Sequence, residues 1–235
     1  AKTDRRFLVL EGNIRFHFPS RKPKALHFRI RDDNPNDQYA KLYSQTVVDT
    51  VRLLNLPRYG LANYIKPSLD VPPTDREAEI MQNLSRAGKR LIGFCRTNLF
   101  KRLESSGHSF LLSVRRHILR NFIYLHAIKS NLPLPIGTQD ASLFDTQTSD
   151  GDTGNDQQRA SELTAQTPDD FAALAATGYE LLRKEHVNDF EWLRPDIFVD
   201  DLSDHLNHDV ERLFSILNLA GAWDSSKDEK LTVLM

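Results

Sequence analysis

Residues 107–129 read GHSFLLSVRRHILRNFIYLHAIK, and this stretch decides the fold class of the chain. Its apolar side chains recur at intervals of three and four residues, namely Leu111, Val114, Ile118, Phe122 and Leu125. That period places them on one face of an α-helix, so the stretch predicts an amphipathic helix that packs on a core. The predicted helix ends before Asn131 and Pro133, because proline cannot continue a helical hydrogen-bond pattern.

Helical periods also precede this stretch. One apolar stripe begins after Asp37 and ends at Leu56-Pro57; it comprises Tyr39, Tyr43, Val47, Val51 and Leu54. Thr74 is followed three residues later by Glu77, which is the spacing of a capping box. We therefore predict one helix from Asp37 to Leu56 and a second from Thr74 to about Leu103, which is broken at residues 105–107.

Two further helices are predicted after residue 167. Thr167 can cap the first of them, Pro168 suits its first position, and Asp169 and Asp170 suit its positive end. The second is marked by a stripe that ends before Gly221, which is placed to stop it; the stripe comprises Phe198, Leu202, Leu206, Val210, Leu213 and Leu217. The architecture is therefore expected to be mainly α.

The N-terminal part follows a different period. Residues 7–10 are apolar, and residues 14–18 alternate at period two, with Gly12 and Asn13 between them, which is typical of a β-hairpin. Residues 25–30 alternate again, as expected of a short strand. Residues 137–167 are poor in bulky apolar side chains and rich in Asp, Thr, Gln and Gly, so we expect a long mobile acidic linker there.

These patterns predict four regions. Residues 1–36 form a small β element at the end of a preceding domain, and residues 37–136 form a basic helical subdomain. The linker covers residues 137–167, and residues 168–235 form a C-terminal helical segment that leads into a following domain. Because the sequence stops inside an amphipathic pattern, we expect the chain to be a piece of a larger protein.

The composition narrows the class of protein. The chain has 235 residues and a formal net charge of -1, and its single cysteine, Cys95, cannot form an internal disulfide. A stapled secreted fold is thereby excluded, and a cytoplasmic location is favoured. The sequence contains no apolar run of about 18 residues and no signal-peptide pattern, so we expect no membrane partner.

The charge is distributed unevenly along the chain. Residues 86–129 contain ten Lys or Arg and one acid, Glu104, whereas residues 188–235 contain four basic and eleven acidic residues. We predict that the basic cluster binds nucleic acid through Arg86, Lys89, Arg90, Arg96, Lys101, Arg102, Arg115, Arg116 and Arg120. Pairs such as Arg116 and Arg120 share a helix face and repel, so anions are expected nearby. Those anions are either DNA phosphates or the acidic residues of 189–211.

Catalytic motifs are absent from the sequence. It contains no phosphate-binding loop, no G-x-G-x-x-G, no C-x-x-C, no H-E-x-x-H and no G-x-S-x-G. A metal-dependent hydrolase is a third hypothesis, because His205, His208 and Asp209 lie close together in the sequence. Their set of metal ligands is incomplete, and we predict no metal site. His117 and His126 are expected at the surface or on phosphate, and Cys95 is expected to be a buried inert thiol.

Several segments, taken in order, resemble one family. Residues 18–21 (FPSR), the strand at 25–30 and Gln38-Tyr39 with Tyr43 are similar to the exit from the first motor lobe of Swi/Snf-type helicase-like ATPases. Residues 98–106 (NLFKRLESS) are similar to a helix between the two lobes of bacterial members, and residues 223–231 (WDSSKDEKL) to the start of the second lobe.

The resemblance implies a superfamily-two, DNA-dependent translocase or remodeller with two RecA-like lobes. This chain would be the helical domain between the lobes, with double-stranded DNA and the flanking lobes as its partners. ATP and Mg²⁺ would bind to the parent protein outside this segment, so the segment is expected to have no cofactor and no ATP hydrolysis of its own. The alternative is a structural or protein-interaction module whose basic and acidic helices pair internally.

Overall fold

The computed structural model describes residues 7–10, 14–17, 27–85, 88–137 and 165–234. The first two of these ranges form an antiparallel hairpin of β1 (Phe7–Leu10) and β2 (Ile14–His17), in which Leu10 pairs with Ile14 and Phe7 with His17. The hairpin predicted from the sequence is confirmed. Residues 27–30, the described part of the third alternating segment, are not in a strand.

The described residues after the hairpin are mainly helical, as predicted. The helices are α1 (Gln38–Leu42), α2 (Gln45–Leu53), α3 (Asp75–Ser85), α4 (Gly88–Ser105), α5 (Gly107–Lys129), α6 (Pro168–Glu185), α7 (Asp201–Ala220) and α8 (Glu229–Leu234). Strands β3 (Leu134–Ile136) and β4 (Glu191–Leu193) pair antiparallel, with Pro135 opposite Trp192. No helix in these ranges is both long enough and apolar enough to cross a membrane.

The chain divides into two compact units. One comprises Ala1–Arg29 and Glu229–Met235, and the other, here called the helical unit, comprises Ile30–Asp228. Inside the first unit the Lys230 ammonium lies 4.7 Å from the centre of the Phe28 ring, which is a cation–π distance.

Helix α5 is the centre of the helical unit, since α4, α6 and α7 all pack against it. The amphipathic stripe read from the sequence explains this position, because Val114 and Ile118 are fully buried. Phe171 of α6 joins three helices: its ring is 6.2 Å from that of Phe122 on α5 and 5.5 Å from that of Phe214 on α7. Aromatic pairs of this kind add about 0.5–1.5 kcal/mol beyond burial of their area.

The capping signals predicted from the sequence are confirmed at the start of α6 and at the end of α7. The Thr167 hydroxyl accepts from the Asp170 amide at 3.2 Å, and the Asp170 carboxylate accepts from the Thr167 amide at 2.9 Å, which completes a capping box with Pro168 in the first turn. Helix α7 ends at Gly221, which has a φ of 68° that favours glycine.

Of the two long helices predicted before residue 107, the first differs from the structure. The first is two helices, because the chain leaves helical geometry at Ser44, with a ψ of 150°, before α2 begins. The second is described as α3 and α4, with residues 86–87 between them outside the described residues. Most of the linker predicted over 137–167 also lies outside the described residues, and the four-region division stays a prediction.

The junction between α4 and α5 is closely packed around Gly107. A Cβ atom at this position would lie 2.3 Å from Cη2 of Trp223 and 2.9 Å from Cδ1 of Leu42. Gly93, in the middle of α4, is the opposite case, because a Cβ there would meet nothing within 4 Å. The two glycines therefore separate the packing requirement from helix propensity.

Replacing Gly107 with alanine is expected to lower the free energy of unfolding by about 1–3 kcal/mol, because the Trp223 ring must move. Gly93→Ala is the matched control and should raise it by about 0.5–1 kcal/mol through helix propensity. Urea denaturation of both variants measures these changes. Adding Trp223→Leu to Gly107→Ala should recover part of the loss, and equal effects of the two glycine substitutions would contradict the packing.

Candidate nucleic-acid interface

The last turns of α4 carry two adjacent cations of the predicted cluster. Lys101 is exposed and Arg102 is partly buried. Within the described residues, neither side chain has a hydrogen-bond or ion-pair partner. Cations near a helix C-terminus interact favourably with the helix dipole, so this position suits them even without a ligand. Among the members of the cluster whose side chains the structure describes, these are the two without a partner.

Two other arginines of the cluster are used inside the fold. The Arg96 guanidinium donates to the Leu54 carbonyl at 2.6 Å, which connects α4 to the end of α2. The Arg115 guanidinium donates to the Ala165 carbonyl, and burial lowers the pKa of Arg115. Both interactions join a charged donor to a main-chain acceptor, a type of hydrogen bond stronger than a neutral one.

The remaining members of the cluster differ in how far the structure describes them. Arg116 and Arg120 are partly buried on α5, and both are engaged in interactions. Lys89 and Arg90 lie in the first turn of α4, with only their backbone described. Arg86 lies outside the described residues.

The acidic segment 189–211 makes its described ion pairs with other cations. Arg76 of α3 pairs with Glu191 of β4, and Arg194 pairs with Glu77 of α3 at 3.3 Å. These pairs connect α3 to the chain around β4. The Arg76–Glu191 pair is exposed and contributes little to stability, whereas the Arg194–Glu77 pair is partly buried.

A buried polar cluster around Arg58 was not anticipated from the sequence. The Arg58 Nε donates to Oδ1 of Asn121 at 2.9 Å, and its second amino nitrogen is 3.2 Å from Nδ1 of His117. The rings of Tyr59 and Tyr124 lie under the guanidinium group, with their centres 5.1 and 6.0 Å from its central carbon.

The expectation that His117 lies at the surface is wrong, because only 4% of it is exposed. His126 is partly buried against the ring of Tyr179, and Cys95 is buried as predicted.

Asp209 is the most deeply buried charged residue in the described part of the chain, with 0% of it exposed. Its two carboxylate oxygens accept from the main-chain amides of Asn55 at 2.7 Å and Leu56 at 2.6 Å. Leu56 is in the left-handed region, with a φ of 51°, which costs a non-glycine residue about 1–3 kcal/mol. The carboxylate on α7 therefore holds a strained turn at the end of α2.

Two arginines bind the main-chain carbonyls of the same turn at the end of α2. Arg212 on α7 donates to the Leu53 carbonyl at 2.7 Å and lies 3.7 Å from the Asp209 carboxylate. Arg96 on α4 binds the next carbonyl, that of Leu54. We call Asp209, Arg212 and Arg96 the turn clamp. The main-chain groups that these three side chains bind belong to residues 53–56, and Arg212 also pairs with Asp209.

The turn clamp explains why His205 and Asp209 do not form half of a metal site. Both Asp209 oxygens are occupied by amides, and Nδ1 of His205 is 2.8 Å from the Tyr64 hydroxyl. Across the described residues, no three His, Cys, Asp or Glu side chains are placed to hold a metal ion. The hypothesis of a metal-dependent hydrolase therefore has no set of metal ligands among the described residues.

Comparison with known proteins returns no relative: no family model, no curated protein and no solved structure matches the chain.

Asp209 should make stability depend on pH in a direction opposite to that of most carboxylates. Burial raises the pKa of Asp209 above its ordinary value of 3.8, although the two amides and the nearby Arg212 and Arg58 lower it. The folded chain therefore binds this proton more tightly than the unfolded chain, and the stability linked to it is lost as the pH rises through the folded pKa.

Asp209→Asn tests this dependence. The difference in the free energy of unfolding between the wild type and Asp209→Asn is expected to decrease from about pH 3 to about pH 7. At pH 7 the variant should still be less stable, by about 1–3 kcal/mol, because an amide cannot accept through both of its polar atoms. The exposed Glu211→Gln on the same helix is the control. A difference that grows with pH would contradict the raised pKa.

Arg96 and Lys101 should respond differently to truncation. Arg96→Ala leaves the Leu54 carbonyl without its donor and is expected to cost about 1–3 kcal/mol of stability. Lys101→Ala should change stability by less than about 0.5 kcal/mol, because the side chain is exposed. Thermal denaturation of both variants distinguishes a structural arginine from a surface cation; equal losses would remove the distinction.

Proposed function

We propose that the chain is the helical domain between the two lobes of a Swi/Snf-type, DNA-dependent ATPase, and that it binds duplex DNA through α4. The observation that supports the binding proposal is the exposed Lys101 beside Arg102, both without a partner among the described residues. The proposal for the parent protein is supported by the ordered sequence resemblances in residues 18–43, 98–106 and 223–231.

The charge of α4 favours phosphate as the ligand. Its 18 residues include Lys89, Arg90, Arg96, Lys101 and Arg102 and a single acid, Glu104. A cationic helix face can neutralise phosphates of a duplex and release their counterions without reading the bases. We therefore propose binding that depends on salt and is independent of sequence.

In this proposal the chain itself does not bind ATP. Its sequence has no phosphate-binding loop, so ATP and Mg²⁺ are assigned to the flanking lobes of the parent protein. The domain would connect those lobes and hold DNA while they move. A cytoplasmic location is proposed with it, and a single buried cysteine suits a reducing compartment.

A second candidate function is a structural connector. Arg96 and Arg115 favour it, because both donate to main-chain carbonyls inside the fold and so stabilise the packing of α4 and α5. Under this candidate the basic residues hold the domain together, and any partner is a protein.

Fluorescence anisotropy with a labelled duplex, measured over a salt series, decides between the two candidates. Wild-type binding should weaken steeply with salt, with a log–log slope of about -0.9 for each phosphate neutralised. Lys101→Glu/Arg102→Glu should lower the affinity by more than tenfold and reduce the magnitude of the slope by about 2.

The control is Arg183→Glu/Lys184→Glu, which reverses two exposed cations on α6 with the same change of net charge. This variant should bind as the wild type does. Absence of wild-type binding at low salt would overturn the DNA proposal and leave the connector. Equal loss in both double variants would show that only the net charge matters.

A further inference from the structure

The two ends of the helical unit are bound to each other. Nε2 of Gln38 donates to the Asp224 carbonyl at 2.9 Å, and the Asp224 amide donates to Oε1 of Gln38 at 2.6 Å. The two residues are 186 positions apart in the chain. A single side-chain amide thus pairs with the main chain of the outgoing segment through both of its polar atoms.

Tyr39, the next residue, makes a second connection to the same segment. Its hydroxyl donates to Oδ1 of Asp228 at 3.1 Å, and its ring lies edge-on to the Trp223 ring with 5.4 Å between centres. Burial raises the pKa of Tyr39 to about 12, so the hydroxyl keeps its proton at neutral pH. Both Tyr39 and Asp228 are buried, where a hydrogen bond is worth more than in water.

The same tyrosine also contacts the junction between α4 and α5. The Gly107 amide donates to the Tyr39 hydroxyl at 3.4 Å, and the Trp223 ring fills the space where a Gly107 side chain would stand. One turn further along, the Tyr43 hydroxyl donates to the Leu103 carbonyl at 3.3 Å. The Tyr39 hydroxyl therefore receives a hydrogen bond from the start of α5 and gives one to the end of the helical unit.

We propose that Gln38, Tyr39, Trp223, Asp224 and Asp228 form a clasp that couples the two chain connections of the helical unit to the α4–α5 junction. When the clasp is closed, Tyr39 and Trp223 restrain the junction. When the incoming and outgoing connections separate, Trp223 and Asp228 leave Tyr39, and the end of α4 loosens. The clasp is a conformational device because separation of the chain connections opens it, and the end of α4 loosens as a result.

The consequence for nucleic acid rests on the proposed function. Lys101 and Arg102 lie in the last turns of α4, within six residues of Gly107. A clasp that opens would change the order of the turn that carries these cations. In a motor protein, this arrangement would let movement of the flanking parts alter the grip on DNA.

Hydrogen–deuterium exchange of the whole chain tests the coupling through three variants. Gln38→Ala removes only the pairing with Asp224, and because the clasp couples the two sites it should increase exchange in residues 103–107 as well as in 223–228. Tyr43→Phe is the local control: it removes the contact with the Leu103 carbonyl, which lies outside the clasp, and should increase exchange in 103–107 alone. Tyr39→Phe removes one oxygen atom and should increase exchange in both segments, by about three- to tenfold.

Helix α6 provides the internal reference, because its amides should exchange equally in all variants if the fold is intact. Trp223 gives a second readout: in a Trp192→Phe background, its fluorescence should shift in Tyr39→Phe and stay unchanged in Tyr43→Phe. An effect of Gln38→Ala on residues 223–228 alone, or of Tyr39→Phe on one segment alone or on neither, would overturn the coupling. Neither measurement uses DNA, so failure of the clasp and failure of DNA binding are separate results.

Discussion

The structure depends on the buried carboxylate of Asp209. It binds the amides of Asn55 and Leu56, and these amides lie in a turn that Leu56 adopts only at a cost in backbone energy. That turn ends α2 and brings Arg58 against α5, where Asn121 and His117 receive it. Because Arg96 and Arg212 bind the adjacent carbonyls, helices α4 and α7 are fixed to the same four residues. A buried charge is tolerated here because hydrogen bonds replace its water.

The basic residues of the cluster whose side chains are described fall into two groups. Arg96 belongs to the turn clamp and Arg115 binds the Ala165 carbonyl, so both guanidinium groups stabilise the packing of the fold. Lys101 and Arg102, five and six residues beyond Arg96, have no such acceptor among the described residues. A count of arginines and lysines along α4 and α5 therefore overstates the surface that phosphate can reach. The proposed interface is smaller than the cluster and lies near the α4–α5 junction.

Local signals in the sequence predicted the helices well, and long-range contacts explain what they missed. Thr167, Pro168 and Gly221 act within one helical turn, so a short window of sequence identifies them. Asp209 acts on Asn55 across 154 residues, and no local period distinguishes it from the exposed acids of α7. For the same reason, spacing alone made His205 and Asp209 resemble metal ligands, although the fold gives them to Tyr64 and the turn at Leu56.

The pairing of Gln38 with Asp224 also has an evolutionary meaning. A segment of nearly two hundred residues begins and ends within the reach of one glutamine side chain. If that segment were exchanged by recombination or replaced with a short turn, the flanking chain would need little structural change. Domain insertion is tolerated where the two ends of the inserted segment lie close together. The helical unit meets this condition, because Gln38 and Asp224 hold its two ends together.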